Sequence, residues 1–219
     1  MVPKARHSRG ARYRSPWNRA ELAILGRLTN PERIQAFIDG LPYSADPFSR
    51  SPRSVLRDRK ANCFDGALFA AAALRCVGYA PLVVDMRAVR DDDHVIAVFR
   101  RGRHIGAVAK SNCVGLRYRE PLFRTVRELV LSYFEDYFNL DYEKTLRSYS
   151  APFDLSPFDD LCWETSDEHL EEIGARLDAI RHFPLLSARQ VASLARVDKR
   201  SYVAGFVGSN RAGLYKPKR

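Results

Sequence analysis

The feature that most constrains the fold is a run of small and apolar residues, Ala67–Leu74, that directly follows a helix-start pattern. Asn62 is a preferred N-cap residue, and Asp65 three positions later completes a capping-box pattern. Gly78 supplies the usual C-terminal stop. Because apolar side chains cover nearly the whole circumference of this helix, we expect it to be central and buried.

Strand patterns follow the buried helix. Residues 80–86 form a strand candidate, and after a charged turn the segment HVIAVF, residues 94–99, forms a second. Gly102 marks a turn, and IGAVAK, residues 105–110, forms a third. This order predicts an α+β chain in which the buried helix packs on an antiparallel sheet.

Helical patterns flank this core. Asn30 and Pro31 predict the cap and first residue of one helix, and Ser51 or Ser54 can cap another. The downstream elements predicted are a helix from Pro121 through Phe138, an extended stretch at 145–153, an amphipathic helix from Asp167 to Ile180 and a shorter helix capped by Ser187.

Charge is distributed unevenly along the chain. The net charge is +10, of which residues 1–60 carry +8 and residues 199–219 carry +6, so the middle carries −4. We expect a basic flexible arm at residues 1–20 and one domain over residues 21–219 with a C-terminal helical extension. Basic ends allow weak, nonspecific contact with nucleic acid or an anionic surface, and SARQVASLARVDKRSYVAGF is similar to a helix-turn-helix element.

No apolar run approaches the roughly 18 to 20 residues that a membrane helix needs, so no membrane insertion is expected. The basic N-terminus is not followed by an apolar signal segment, which predicts a cytoplasmic protein. The cysteines form no CxxC pair and lack zinc-finger spacing. We therefore expect free thiols, no metal and no organic cofactor.

One of the four cysteines occupies a special position. Cys63 is at the first position of the buried helix, where unpaired backbone N–H groups favour the thiolate. Cys76 lies near the opposite end, where the helix dipole disfavours an anion, and is predicted to pack in the core. We expect Cys63 to be the most reactive thiol.

A nucleophilic thiol needs a base within hydrogen-bond reach and a group that orients the base. His94 opens a strand after an acidic turn, which places it best among the histidines. His7 falls in the basic arm, His104 in the hairpin, and His169 and His182 in or beside an amphipathic helix. His94 is the candidate base.

The order of these elements resembles the transglutaminase-like superfamily, which has an α+β fold of the papain type. The matching segments are NCFDGALFAAAALRCVGY, DDDHVIAVF and GAVAKSN, preceded by ERIQAFIDGLPYSAD. A further segment, SNCVGLRYREPLFRTVRELVLSYFEDYFN, is similar to an uncharacterised bacterial branch of that superfamily. The resemblance implies cysteine-dependent acyl transfer, or amide or peptide hydrolysis, through a thioester, with a peptide or amide substrate.

The third catalytic position departs from the family pattern, which usually has Asp there. The candidates are Ser111 and Asn112. A hairpin loop of two residues puts Ser111 on the side of His94, and a loop of three residues puts Asn112 there. Because papain-type enzymes use Asn in this role, the chemistry favours a triad of Cys63, His94 and Asn112.

The resemblance also bears on the oxyanion site. The Cys63 N–H is the expected donor to the oxyanion, with the Asn62 side chain as a second. Since the usual Asp is missing, a non-catalytic binding module on the same scaffold is an alternative function. A nucleic-acid-contacting protein that uses its basic ends is another.

Overall fold

The structure is a computed structural model that describes residues 15–216. Its helices are α1 Arg19–Leu25, α2 Pro31–Asp39, α3 Pro52–Asp58, α4 Cys63–Cys76, α5 Val126–Leu131, α6 Leu170–Ala179, α7 Ala188–Ala192 and α8 Lys199–Gly205. Its strands are β1 Leu82–Ala88, β2 His94–Arg101, β3 His104–Val108, β4 Arg119–Phe123, β5 Leu146–Ser150, β6 Phe153–Asp154 and β7 His182–Pro184.

The strands form one antiparallel sheet in the order β4-β3-β2-β1-β5-β7, with β6 paired to β1. The hairpin between β2 and β3 closes at the pair Arg101 and His104, so its loop is Gly102 and Arg103. Gly102 has a φ of 62°, the left-handed conformation that glycine adopts without strain. The loop therefore has two residues, the shorter of the two lengths considered.

The sheet separates two apolar clusters. Val95, Ala97 and Phe99 of β2 point to the face covered by α4. Ile96 and Val98 point to the other face, where residues of α5 and the aromatic side chains that follow it are buried. Strand alternation thus supplies both halves of the core. The predicted fold class is confirmed: a buried, cysteine-bearing helix packs on an antiparallel sheet, and further helices follow toward the C-terminus.

Helix α4 lies against the end of β3 at a glycine. A Cβ atom on Gly66 would lie 2.2 Å from the Cβ of Lys110, so a larger residue would push the helix away from the strand. The Lys110 ammonium is buried and donates to the carbonyl of Ile38, at 3.0 Å, and to that of Leu41. These bonds cap the end of α2 and hold it beside α4.

The predicted helix from Pro121 is wrong at its start and its length. Pro121 lies in β4, an edge strand, where the missing proline N–H removes no sheet hydrogen bond. The helix starts only after Thr125, whose side chain accepts from the Glu128 N–H at 3.1 Å, and it ends at Leu131. Beyond it, Tyr133, Tyr137 and Phe138 are buried although they lie outside any helix, whereas Phe134, in a short 3₁₀ segment, is half-buried.

The two ends of the described chain join the core. Of the predicted arm, residues 1–14 lie outside the described residues, whereas Trp17 is buried in the core and α1 begins at Arg19. Near the C-terminus, Tyr202 and Phe206 pack on the ring of Phe138. Between residues 15 and 216, no helix is long and apolar enough to cross a membrane.

Candidate functional site

Cys63 is the first residue of α4, as predicted, and the capping box is formed. The Asn62 side chain accepts from the Asp65 N–H at 2.9 Å, and the Asp65 carboxylate accepts from the Asn62 N–H at 3.2 Å. The carboxylate is thereby directed to the helix cap and away from the thiol. The N–H of Cys63 belongs to the first turn, whose donors are not used by the helix.

The buried Arg50 contacts the Asp65 carboxylate of this capping box. Arg50 donates its backbone N–H to Asp65 at 2.8 Å. Its guanidinium pairs with Asp58 at 3.0 Å and with Asp46, and it lies 3.8 Å from the Asp65 carboxylate. Because Arg50 is only 2% exposed and Asp65 is fully buried, the start of α4 is fixed by a charge pair away from water, while Asp46 and Asp58 reach the surface.

Main-chain groups and a tyrosine surround the Cys63 thiol. Its S–H donates to the Asp93 carbonyl at 3.8 Å. The Val95 N–H and the Tyr43 hydroxyl are both within hydrogen-bonding reach of the sulfur. Burial raises the pKa of the Cys63 thiol to about 11, and Asp92 and Asp65 add to this rise, against the smaller lowering by Val95 and Tyr43. The helix-terminal position therefore does not make Cys63 a thiolate in this state.

His94 opens β2, as predicted, and is 4% exposed. Its Nε2 lies 2.9 Å from the Leu116 carbonyl, which can only accept, so Nε2 carries the proton and Nδ1 is the basic nitrogen. Burial lowers the pKa of His94 to about 4, against the Leu116 hydrogen bond and together with the charge of Arg119. Both Cys63 and His94 are thus neutral at pH 7.

Cys63 and His94 meet at one cavity of about 60 Å³, at the end of the sheet. His94 lies on the same face of the sheet as Ile96, opposite α4. Its side chain borders the cavity at the end of the sheet. The thiol proton is directed to the Asp93 carbonyl rather than to the imidazole. Contacts of catalytic groups are often long in resting structures and tighten when a substrate binds.

Ser111 and Asn112 line the same cavity without bonding to His94. The register of the β2–β3 hairpin, extended past its last pair, puts Ser111 opposite His94, but the Ser111 hydroxyl accepts from the Cys113 N–H at 2.9 Å. The Asn112 side chain pairs with the main chain of Asn210. The orienting role of Asn112 stays a prediction, since its amide has another partner here.

Three consecutive acids, Asp91 to Asp93, form one wall of the cavity. Burial is the largest cause that raises the pKa of each, and it brings that of Asp91 to about 6. Their negative charge favours the neutral thiol over the thiolate. Within residues 15–216, no group of three or more His, Cys, Asp or Glu side chains is arranged to hold a metal ion.

The other thiols differ from Cys63 in exposure. Cys76 and Cys162 are exposed, whereas Cys63 and Cys113 are half-buried. The prediction that Cys76 packs in the core is wrong, because full burial of α4 ends at Leu74. Burial also raises the pKa of Cys113, to about 12.

Sequence reasoning missed three parts of the site. Tyr43 lies in the segment ERIQAFIDGLPYSAD, which resembles the superfamily but carries no local pattern that links the Tyr43 hydroxyl to Cys63. The Leu116 carbonyl is a backbone group, which carries no signal in the residue type. The third part is segment 209–215, whose residues Gly213, Leu214 and Tyr215 border the cavity from the far end of the chain.

Comparisons with known proteins add a partial likeness. No protein-family model matches the sequence, and no curated protein sequence matches it. Among solved structures, LapG from Legionella pneumophila is 17% identical, with a TM-score of 0.34 over 40% of this chain and 59% of that chain. EGTA-treated LapG from the same organism is 17% identical, with a TM-score of 0.33 over 41% and 57%.

Each match spans less than two thirds of the LapG chain. With likenesses this partial, function has to be inferred from the side chains of the site.

Proposed function

We propose that the protein is a cysteine-dependent acyltransferase or hydrolase of peptide or amide bonds, with Cys63 as nucleophile and His94 as base. The observation that carries this proposal is that a thiol at the start of a buried helix borders the same cavity as an imidazole whose Nε2 is held by a carbonyl. That hydrogen bond leaves Nδ1 as the nitrogen that can take a proton.

The neutral state of both groups favours base-assisted attack over a preformed ion pair. As the Cys63 sulfur attacks the substrate carbonyl carbon, its proton passes to Nδ1 of His94. The imidazolium then protonates the leaving amine, and the C–N bond breaks to leave a thioester. Water or a second amine attacks the thioester, its proton passes to His94, and the released thiol is protonated again.

The Leu116 carbonyl serves as the orienting group in this proposal, in the role predicted for Asn112. The Cys63 N–H, the Val95 N–H and the Tyr43 hydroxyl are donors beside the sulfur that can stabilise the oxyanion. Free thiols suit a reducing compartment, so we keep the cytoplasmic location as part of the proposal. Weak contact of the basic ends with nucleic acid stays a prediction.

The test uses p-nitrophenyl acetate, whose small acyl group can enter through an open cleft of about 430 Å³ that also borders Cys63. We expect an acetyl thioester on Cys63, located by peptide mass spectrometry. His94→Ala should slow its formation by about a hundredfold, the usual size of a lost general base. His104→Ala, in the hairpin, is the matched control and should leave the rate unchanged.

Acetylation of Cys63 at equal rates in the wild type and in His94→Ala would remove His94 from the chemistry. The chain would then be better described as a binding module on this scaffold.

A further inference from the structure

Segment 209–215, which we call the strap, crosses the site and is bound by its main chain. The Asn112 side-chain NH₂ donates to the Asn210 main-chain carbonyl at 2.8 Å, and the Asn112 side-chain Oδ1 accepts from the Asn210 N–H at 2.8 Å. One side chain thereby pairs with both main-chain groups of one residue. Such pairing recognises an extended peptide irrespective of its side chain.

Further bonds hold the first half of the strap to both walls of the groove. The Ser209 hydroxyl donates to the Asn112 carbonyl at 2.6 Å. The Asn210 side chain donates to the Tyr43 carbonyl at 3.0 Å. The strap therefore lies between Tyr43 on one side and Asn112 on the other.

The second half of the strap lies beside the thiol. A Cβ atom on Gly213 would be 2.9 Å from two ring atoms of Tyr43 and 3.4 Å from the Asn112 amide nitrogen. The Tyr43 ring is half-buried and its hydroxyl donates to the Cys63 sulfur, so a shift of the ring would cost that hydrogen bond. The position next to Tyr43 thus fits glycine and excludes larger residues.

The strap also limits the space at the reacting groups. Gly213, Leu214 and Tyr215 border both the 60 Å³ cavity at His94 and the 430 Å³ cleft on the open side of Cys63. Because the strap borders both spaces, a peptide that lies along the cleft beside Cys63 and reaches toward His94 would pass through the position that the strap now occupies.

We propose that the groove between Tyr43 and Asn112 is the peptide-binding groove of this site and that the strap occupies it as an intramolecular ligand. The ligand class is an extended peptide with a glycine at the position of Gly213, bound through its main chain by Asn112. This proposal rests on the proposed function for the identity of the site. The occupied groove keeps the protein in a state of low activity until the strap leaves.

The anchor of the strap permits such a release. Gly208, directly before the strap, has a φ of 72°, so the chain turns there in a conformation suited to glycine. Upstream, Gly205 of α8 lies against the Phe138 ring, and its carbonyl accepts from the Val114 N–H at 2.9 Å. Within the described residues, the hydrogen bonds that hold the strap to the groove are those to Asn112 and Tyr43, so the strap can leave while α8 stays in place.

The test measures alkylation of Cys63 by iodoacetamide, because this readout does not depend on turnover. The proteins are full-length and carry Cys76→Ser and Cys162→Ser, which removes the exposed thiols. Gly213→Ala inserts a methyl group against Tyr43, and Asn112→Ala removes both bonds to Asn210. We expect either change to speed Cys63 alkylation by about tenfold, the effect of losing one or two net hydrogen bonds.

Gly174→Ala on α6 is the matched control, since its new Cβ atom would meet only the Phe64 ring at 3.8 Å. It should leave the alkylation rate unchanged. A capped peptide with the sequence of residues 208–216 should restore slow alkylation when it is added to the Gly213→Ala protein. The same peptide with alanine at the position of Gly213 should not.

Unchanged alkylation in both Gly213→Ala and Asn112→Ala would overturn the proposal, as would a glycine peptide that gives no protection. Failure of the proposed function looks different. Alkylation would then respond to strap variants and peptide as expected, while acetylation of Cys63 would not depend on His94.

Discussion

The two sides of the cavity at Cys63 are held in different ways. On one side, the start of α4 is fixed by the buried Arg50 and Asp65 and by a complete capping box. On the other side, the strap is held by hydrogen bonds to Asn112 and Tyr43 at the protein surface. Buried charge pairs are lost only with the fold, whereas a few surface hydrogen bonds can open locally. The start of α4, which carries Cys63, is therefore fixed with the fold, whereas the strap beside it can open locally.

The largest effect on the free energy of unfolding is expected from Arg50, which fixes the start of α4. Arg50→Ala leaves the fully buried Asp65 without its nearest cation and should lower the free energy of unfolding by about 3–5 kcal/mol, as for other broken buried ion pairs. Urea unfolding measures this. Arg57→Ala is the control, because Arg57 is 63% exposed and such pairs contribute less than about 1 kcal/mol. An equal, small loss in both variants would mean that the cap does not depend on Arg50.

The next effect concerns pH. His94 has a folded pKa of about 4, below its ordinary value of 6.5, so its contribution to stability is complete above pH 6.5 and is lost as pH falls through 4. At pH 4 this loss amounts to about 3 kcal/mol. Asp91, whose folded pKa is raised to about 6, acts in the opposite sense over the same range.

The Asp91 contribution cancels when wild type is compared with His94→Gln, which keeps a donor for the Leu116 carbonyl. We expect the stability difference between these two proteins to shift by about 3 kcal/mol in favour of the variant between pH 7 and pH 4. Unfolding in urea at both pH values tests it. A difference that does not change with pH would show that His94 titrates normally in the folded protein.

A smaller effect, on the rate of acetylation, is expected at the contact between the Tyr43 hydroxyl and the Cys63 sulfur. Tyr43→Phe removes the hydroxyl that donates to the Cys63 sulfur and should slow acetylation by p-nitrophenyl acetate by about tenfold. Tyr149→Phe is the matched control, since that ring packs on Phe183 in the sheet, away from the cavity. If Tyr43→Phe reacts as fast as the control, the hydroxyl has no part in the chemistry.

The smallest effect is expected from the strap. Gly213→Ala should change the free energy of global unfolding by less than about 0.5 kcal/mol, because the strap opens locally before the core unfolds. The denaturant dependence of that free energy should also stay the same. A large loss of stability would place the strap in the cooperative core and would remove the distinction between the two sides.

Local sequence patterns correctly predicted the start and burial of α4 and the strand that begins at His94. The cap at Asn62, the burial of α4 and the strand that opens at His94 depend on residues close in sequence, which is the range that capping and periodicity cover. Pro121 misled the helix prediction because apolar spacing continued through a segment whose proline suits an edge strand equally well.

The position of the strap could not be predicted, because it depends on hydrogen bonds between residues distant in sequence. Asn112 and Asn210 are 98 positions apart, and neither belongs to a periodic pattern that links them. The protonation of Cys63 depends on burial, which outweighs the helix-end effect visible in the sequence. Likewise, the partner of His94 is a carbonyl that any residue at position 116 would supply.

We have proposed that Cys63 and His94 act together as nucleophile and base, and that the strap covers them and can leave the groove. The most direct measurement is the rate of Cys63 acetylation by p-nitrophenyl acetate in Gly213→Ala and in the double variant Gly213→Ala/His94→Ala, with both exposed thiols replaced by serine. We expect faster acetylation than wild type in Gly213→Ala and a loss of about a hundredfold on adding His94→Ala. Equal rates in the single and double variants would contradict it, because the strap would then cover a thiol that has no base.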